Sequence, residues 1–223
     1  KKLSSVSIYI KSSLDLFSFF NMFFIFIFLS FLTLILFLII FIVSTAIHLY
    51  ASSKKNQTVR NITKPFILLS LLGFYVFSAS EIRTYIVLAL AFSWLGDVLL
   101  MPKGNKWFSA GGIAFMISHA FFVLGYCQDI AFSAIPTWCI ALLALVFITA
   151  VTVIFSKLKE HLPKALFYPM FFYLLVNGTM NCFAIFRLIS NPCSATITTC
   201  IGAVLFFISD TSLFFVRFKK DSR

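Results

Sequence analysis

From Leu14 to Tyr50 the chain contains no Gly, Pro, Lys or Arg, and ten phenylalanines lie between Phe17 and Phe41. In lipid every backbone polar group must be satisfied within the chain, so a membrane-crossing run of this kind is helical. The run is too long for a signal-peptide core. It predicts one long tilted helix, or an interfacial stretch leading into a span. A hairpin of two spans lacks its turn signal. Further apolar stretches at roughly 65–80, 83–101, 107–127, 131–155, 164–186 and 194–216 each approach the length needed to cross a bilayer. The fold class expected is all-α: a polytopic transmembrane helical bundle of about seven spans. Residues 1–50 form its amino-terminal segment, 51–64 a basic cytoplasmic loop, 65–218 the bundle and 219–223 a basic tail.

The net charge of +11 does not imply nucleic-acid binding, because the basic residues sit in short polar breaks between apolar runs. One set of breaks carries Lys54, Lys55, Arg60, Lys64, Lys103, Lys106, Lys157, Lys159, Lys164, Arg217, Lys219, Lys220 and Arg223. The other carries only Lys1, Lys2, Lys11, Arg83 and Arg187. The richer side is expected to face the cytoplasm. A hairpin at 14–50 would move three lysines to that side, so the charge rule favours the hairpin while the missing turn opposes it. The cysteines, Cys127, Cys139, Cys182, Cys193 and Cys200, show neither a disulfide framework nor zinc spacing.

Only two acids, Asp97 and Asp210, lie inside apolar helices. A carboxylate at such a depth costs about 3 kcal/mol by insertion scales, so it is functional by default. Helical spacing puts Asp97 on a face with Ser93, Gly96 and Leu100, and Asp210 on one with Gly202, Phe206, Ser209 and Leu213. Small residues beside each acid let neighbouring helices approach closely. His119 lies mid-span with Gly112, Phe115, Phe122 and Tyr126. It is either a core histidine or a base, proton shuttle or carboxylate partner. Tyr173, Asn177, Met180 and Asn181 share a face of the sixth span, as packing or as substrate contacts. Lys64, before Pro65, either snorkels to the interface or reaches a lipid phosphate.

The order Lys64-Pro65, Gly96-Asp97, Phe115 with Ser118-His119, Tyr173 with Met180, and GAVLFFISD from Gly202 to Asp210 resembles the YhhN-like lysoplasmalogenase family. The resemblance covers roughly residues 60–218. It implies a polytopic hydrolase that cleaves the vinyl ether of lysoplasmalogen to a fatty aldehyde and glycerophosphocholine or glycerophosphoethanolamine. Asp97 and Asp210 would be its catalytic aspartates, with His119 and Lys64 as further motif positions. Tyr173, Asn177, Tyr126 and Lys64 are the candidate substrate contacts. The chain departs from the family at two points. Phe122 stands where the family has Tyr, with Tyr126 one turn further on, and the chain stops at Arg223 before an eighth span with a Tyr…Gln pattern.

The chemistry suits those residues. Vinyl ether hydrolysis protonates the β-carbon, gives an oxocarbenium ion, adds water and collapses a hemiacetal. It needs a proton donor and a negative group near the cation, the division of labour of glycosidase carboxylates. Burial favours the neutral, donating form of a carboxyl. His119 would activate water or tune a carboxyl, an apolar groove would take the alkenyl chain, and rim cations would meet the phosphate. Neither cofactor nor metal is expected. A zinc held by Asp97, His119 and Asp210 is the metal alternative, though no HxxxH or HExxH motif supports it. A proton-coupled carrier is the alternative of another class, since Asp97 and Asp210 share a [GS]-D-x-x-L context that marks a parallel repeat. The expected partners are a lysophospholipid within the bilayer and the membrane itself, an endomembrane if the source is eukaryotic.

Overall fold

A computed structural model describes the backbone of residues 2–220 and the side chains of residues 28–219. Lys1, Lys2, Lys11, Asp15, Asp221, Arg223 and most of the basic tail lie outside the described side chains. The described residues form seven α-helices with no strand. Six are long and apolar enough to cross a membrane, and one is a shorter apolar helix. The chain is a polytopic transmembrane helical protein. It divides into two compact units, residues 1–80 and 81–223.

The first unit is a pair of helices, α1 (Lys2–Ser53) and α2 (Gln57–Ser78). The long apolar run is therefore one uninterrupted helix, not a hairpin. The expected loop at 51–64 is corrected to a three-residue connection, Lys54–Asn56, with Lys55 in the left-handed region at φ 54°. Asn56 accepts a hydrogen bond from the Val59 amide at 3.2 Å and starts α2 early. Helix packing then outweighs segment polarity. His48 Nδ1 lies 3.0 Å from Thr63 Oγ1, and Phe37 stacks on Phe77. Pro65 consequently sits inside α2 rather than at its first turn.

The second unit contains α3 (Thr84–Leu99), α4 (Asn105–Cys127), α5 (Thr137–Leu158), α6 (Phe167–Ser190) and α7 (Ser194–Phe214), the last continued by a π-helical turn, Phe215–Lys220. The fifth span starts later than expected because Pro136 sets its first turn. The sixth starts after Pro163 and a 3₁₀ turn. Large apolar side chains such as Leu145 and Leu205 point outward, as lipid-facing residues must.

Two cores stack along α6. One joins Phe115, Leu158, Met170, Tyr173, Leu174 and Phe214, and the other joins Tyr126, Ile130, Met180, Ala184, Phe186 and Ala203. Beyond the second core, Asp129 Oδ2 accepts from Arg83 and, at 2.8 Å, from Arg187. The start of α3, the end of α4 and the end of α6 are thereby clasped by one carboxylate. Arg187 also lies over the Tyr126 ring at 5.7 Å.

Partial burial pushes the Asp129 carboxyl up, but hydrogen bonds and charge from Arg83 and Arg187 outweigh it and hold it below 3.8. A carboxyl lowered in the folded state stabilises it above its unfolded value and loses that contribution as pH falls. Asp129→Asn is expected to lower the unfolding temperature at pH 7 in neutral detergent. The gap between parent and variant should narrow as pH falls below 3.8. A gap that stays constant with pH would show that the clasp does not act through charge.

Candidate active site

Asp210 is half-buried on α7. Its Oδ2 accepts hydrogen bonds from the Tyr173 hydroxyl and, at 3.1 Å, from Asn177 Nδ2. Tyr173 and Asn177 are one turn apart on α6, so both reach the same oxygen. Asn181, a further turn along, donates to the Asn177 carbonyl at 3.0 Å and to its side-chain oxygen at 3.2 Å. Asn177 is 0% exposed and Asn181 1%. Amides sealed this way need partners, which the ladder supplies except at Asn181 Oδ1, and a hydrogen bond to a charged group contributes about 1.5–3 kcal/mol. The polar ladder is therefore both the anchor of Asp210 and the reason asparagines are tolerated here.

The other carboxylate arrives on α3, which packs closely on α4. The hydroxyls of Ser93 and Ser118 are 2.6 Å apart, and Ser118 donates to the Ala89 carbonyl at 2.7 Å. Ser118 has one proton to give, so Ser93 donates to it. Gly96 lies so close to Phe115 that a Cβ there would stand 2.6 Å from Phe115 Cδ2. This approach brings Asp97, itself half-buried, within electrostatic range of the Tyr173 hydroxyl. Asp97 acts on Tyr173 only through space, whereas Asp210 is bonded to it directly.

His119 is 1% exposed and packs edge-on against Tyr173 and Phe206, with ring centroids 5.5 and 5.1 Å away. Neither ring nitrogen has a hydrogen-bond partner among the described residues. A narrow cleft of about 60 Å³ opens beside Asp210, walled by Phe115, Met116, Met170, Tyr173 and Phe214. Its surface is apolar apart from the Asp210 carboxylate, the Tyr173 hydroxyl and Ser109.

The structure gathers Asp210, Tyr173, Asn177, Asp97 and His119 into one neighbourhood. Tyr126 is elsewhere. It lies against Arg187, fourteen residues beyond Tyr173 on α6, roughly 20 Å at the helical rise. Lys64 lies half-buried in the second turn of α2, in the first unit.

The face expected for Asp210 needs correction. Gly202 meets nothing within 4 Å of an added Cβ, and Ser209 is exposed. Phe206 does pack inward, against Phe115 and His119, and with it the inward residues of α7 are Ala203, Phe207, Asp210 and Phe214, because the helix is turned to present Asp210 to α6. Gly96 is packed tightly and Ser209 is not, so the two [GS]-D contexts are not structurally equivalent. Among the described residues no three His, Cys, Asp or Glu side chains converge to hold a metal, so Asp97, His119 and Asp210 do not form a ligand set. The sequence reading missed the Arg83–Asp129–Arg187 clasp. Its signal was opposite charges at span ends on one side of the membrane.

The fold and the site define a multispan membrane protein with the Asp210 carboxylate in the wall of a largely apolar cleft. The sequence model of the YhhN family matches residues 59–223, and the chain belongs to that family. No curated protein and no solved structure matches it.

Gly96→Ala is expected to destabilise the protein by about 1–3 kcal/mol, the range for overpacking a close contact. Thermal unfolding in detergent measures this. An unchanged melting temperature would show that Phe115 swings away freely.

Proposed function

We propose that this chain is a lysoplasmalogenase-like ether hydrolase, which takes a lysophospholipid from the bilayer and cleaves its vinyl ether. The observation that carries this reading is the Asp210 carboxylate, held by Tyr173 and Asn177 in the wall of an otherwise apolar cleft. A cleft of this size admits the reactive bond of a single-chain ether lipid to the carboxylate, while most of the hydrocarbon tail stays in the bilayer. Membership of the YhhN family is consistent with a hydrolase.

In the reaction a proton joins the β-carbon of the enol ether and leaves an oxocarbenium ion. Water oxygen bonds to the α-carbon and loses its proton to a base. The hemiacetal C–O bond then breaks, the glyceryl oxygen regains a proton, and fatty aldehyde and glycerophospho-alcohol depart. One carboxyl supplies the first proton and a carboxylate balances the cation. Asp210 faces the ether directly. Asp97, on α3, is the second carboxyl of the pair, and the Tyr173 hydroxyl donates to Asp210. His119, whose ring packs edge-on against Tyr173, is the neutral base of the neighbourhood. The reading rests on the second unit alone, so Lys64, in the first, has no assigned step, and Tyr126 has none because it lies against Arg187 away from the cleft.

The test is fatty aldehyde release from lysoplasmalogen by membranes holding the full chain. Asp97→Asn and Asp210→Asn are each expected to lower release at least about 100-fold at equal expression, the loss typical of a missing acid–base group. Release that survives both changes contradicts the two-carboxylate mechanism. Substrate flux into sealed vesicles without product would establish the carrier instead.

His119→Leu separates packing from chemistry. It removes two buried nitrogens without polar partners, so the melting temperature should hold or rise, while aldehyde release falls. Unchanged release would make His119 a packing residue only.

A further inference from the structure

A second cavity, of about 400 Å³, lies at the end of the second unit where α4 begins and α7 ends. Lys103, Asn105, His161 and Arg217 line it, together with Gly104, Pro163 and Phe218, and no acidic side chain among the described residues does. Arg217 is held in place rather than free to sweep. Its guanidinium lies 4.2 Å from the centroid of Phe108, and Nη2 donates to the Gly104 carbonyl at 3.4 Å and to Asn105 Oδ1 at 3.3 Å. Both acceptors are neutral, so the positive charge is oriented but not neutralised by them. The planar guanidinium fork, with five N–H groups in all, suits an oxyanion.

This cavity adjoins the catalytic cleft. Phe108 forms part of the cleft wall and is the ring on which Arg217 lies. Arg217 follows Asp210 by seven residues, about two turns, or roughly 10 Å along the helix. A lysophospholipid supplies a matching interval. Seven bonds separate its phosphorus from the β-carbon of the vinyl ether, and at about 1.5 Å per bond in a zigzag they span roughly 9 Å. With phosphate in the cationic cavity, the ether reaches the Asp210 carboxylate and the tail continues past the apolar cleft into the bilayer.

We infer that the cavity lined by Lys103, His161 and Arg217 binds the phosphate of a single-chain phospholipid and so sets which bond meets Asp210. This rests on the hydrolase reading above, but it is tested by binding rather than turnover. The purified full chain in neutral detergent is titrated with three probes. They are a saturated-ether lysophosphocholine, which has no vinyl group to cleave, the matching alkylglycerol without phosphate, and inorganic phosphate. The ether phospholipid is expected to bind at least about tenfold more tightly than the alkylglycerol. Arg217→Gln should remove most of that difference and Arg217→Lys part of it. Lys103→Gln, at an exposed turn that carries no packing, should weaken the phospholipid alone.

Equal binding of phospholipid and alkylglycerol overturns the inference, as does binding unaffected by Arg217→Gln and Lys103→Gln. Inorganic phosphate bound as tightly as the lipid would mark a free-phosphate site and also overturn it. Failure of the hydrolase reading looks different. Phosphate-dependent binding would still be lost on Arg217→Gln, but no aldehyde would form from lysoplasmalogen.

Discussion

A carboxylate placed among apolar helices must be met by donors that move with it. For Asp210 those donors are Tyr173 and Asn177, successive turns of one helix aimed at one oxygen. The rest of the second unit is arranged around this. The rotation of α7 is set by the need to present Asp210, leaving Gly202 and Ser209 outside. Asn181 bonds back to Asn177 and keeps the amide oriented. The cleft lies where Tyr173, Asp210 and Phe214 meet α4, so the polar anchor and the apolar wall belong to the same few side chains.

The two ends of this unit handle charge in opposite ways. At one, Asp129 joins Arg83 and Arg187 and ties three helix ends. At the other, Arg217 is oriented by a ring, a backbone carbonyl and an amide, with Lys103 and His161 across a cavity that no acid among the described residues lines. One carboxylate shared by two guanidiniums suits a structural tie between helix ends. Oriented, unneutralised cations next to a cleft suit an end that receives an anion.

Much of this was legible in the amino-acid order. Apolar run length gives the helices, because lipid permits no other backbone for them. The two aspartates stand out because nothing else charged lies at their depth, and Gly96 beside Asp97 does mark a close helix approach. The face of α6 could be read because Tyr173, Asn177 and Asn181 repeat every fourth residue. The face of α7 could not. Gly202 and Ser209 obey the same spacing rule as Ala203 and Phe207, and only the partner helix decides which set turns inward. The segment 51–64 was misjudged from polarity, where Asn56 capping and the His48–Thr63 contact make most of it helix. Tyr126 shares a face with His119 but lies two turns along α4, enough to place it with Arg187 instead of Asp210.

We propose that Asp97 and Asp210, the latter held by Tyr173, deliver a solvent-derived proton to the carbon of a vinyl ether. Brief turnover of lysoplasmalogen in heavy water, with mass analysis of the aldehyde, tests it most directly. The account predicts one deuterium on the carbon next to the carbonyl, with both the label and the aldehyde lost in Tyr173→Phe. Aldehyde released without deuterium at that carbon, or labelled equally well by Tyr173→Phe, would contradict it.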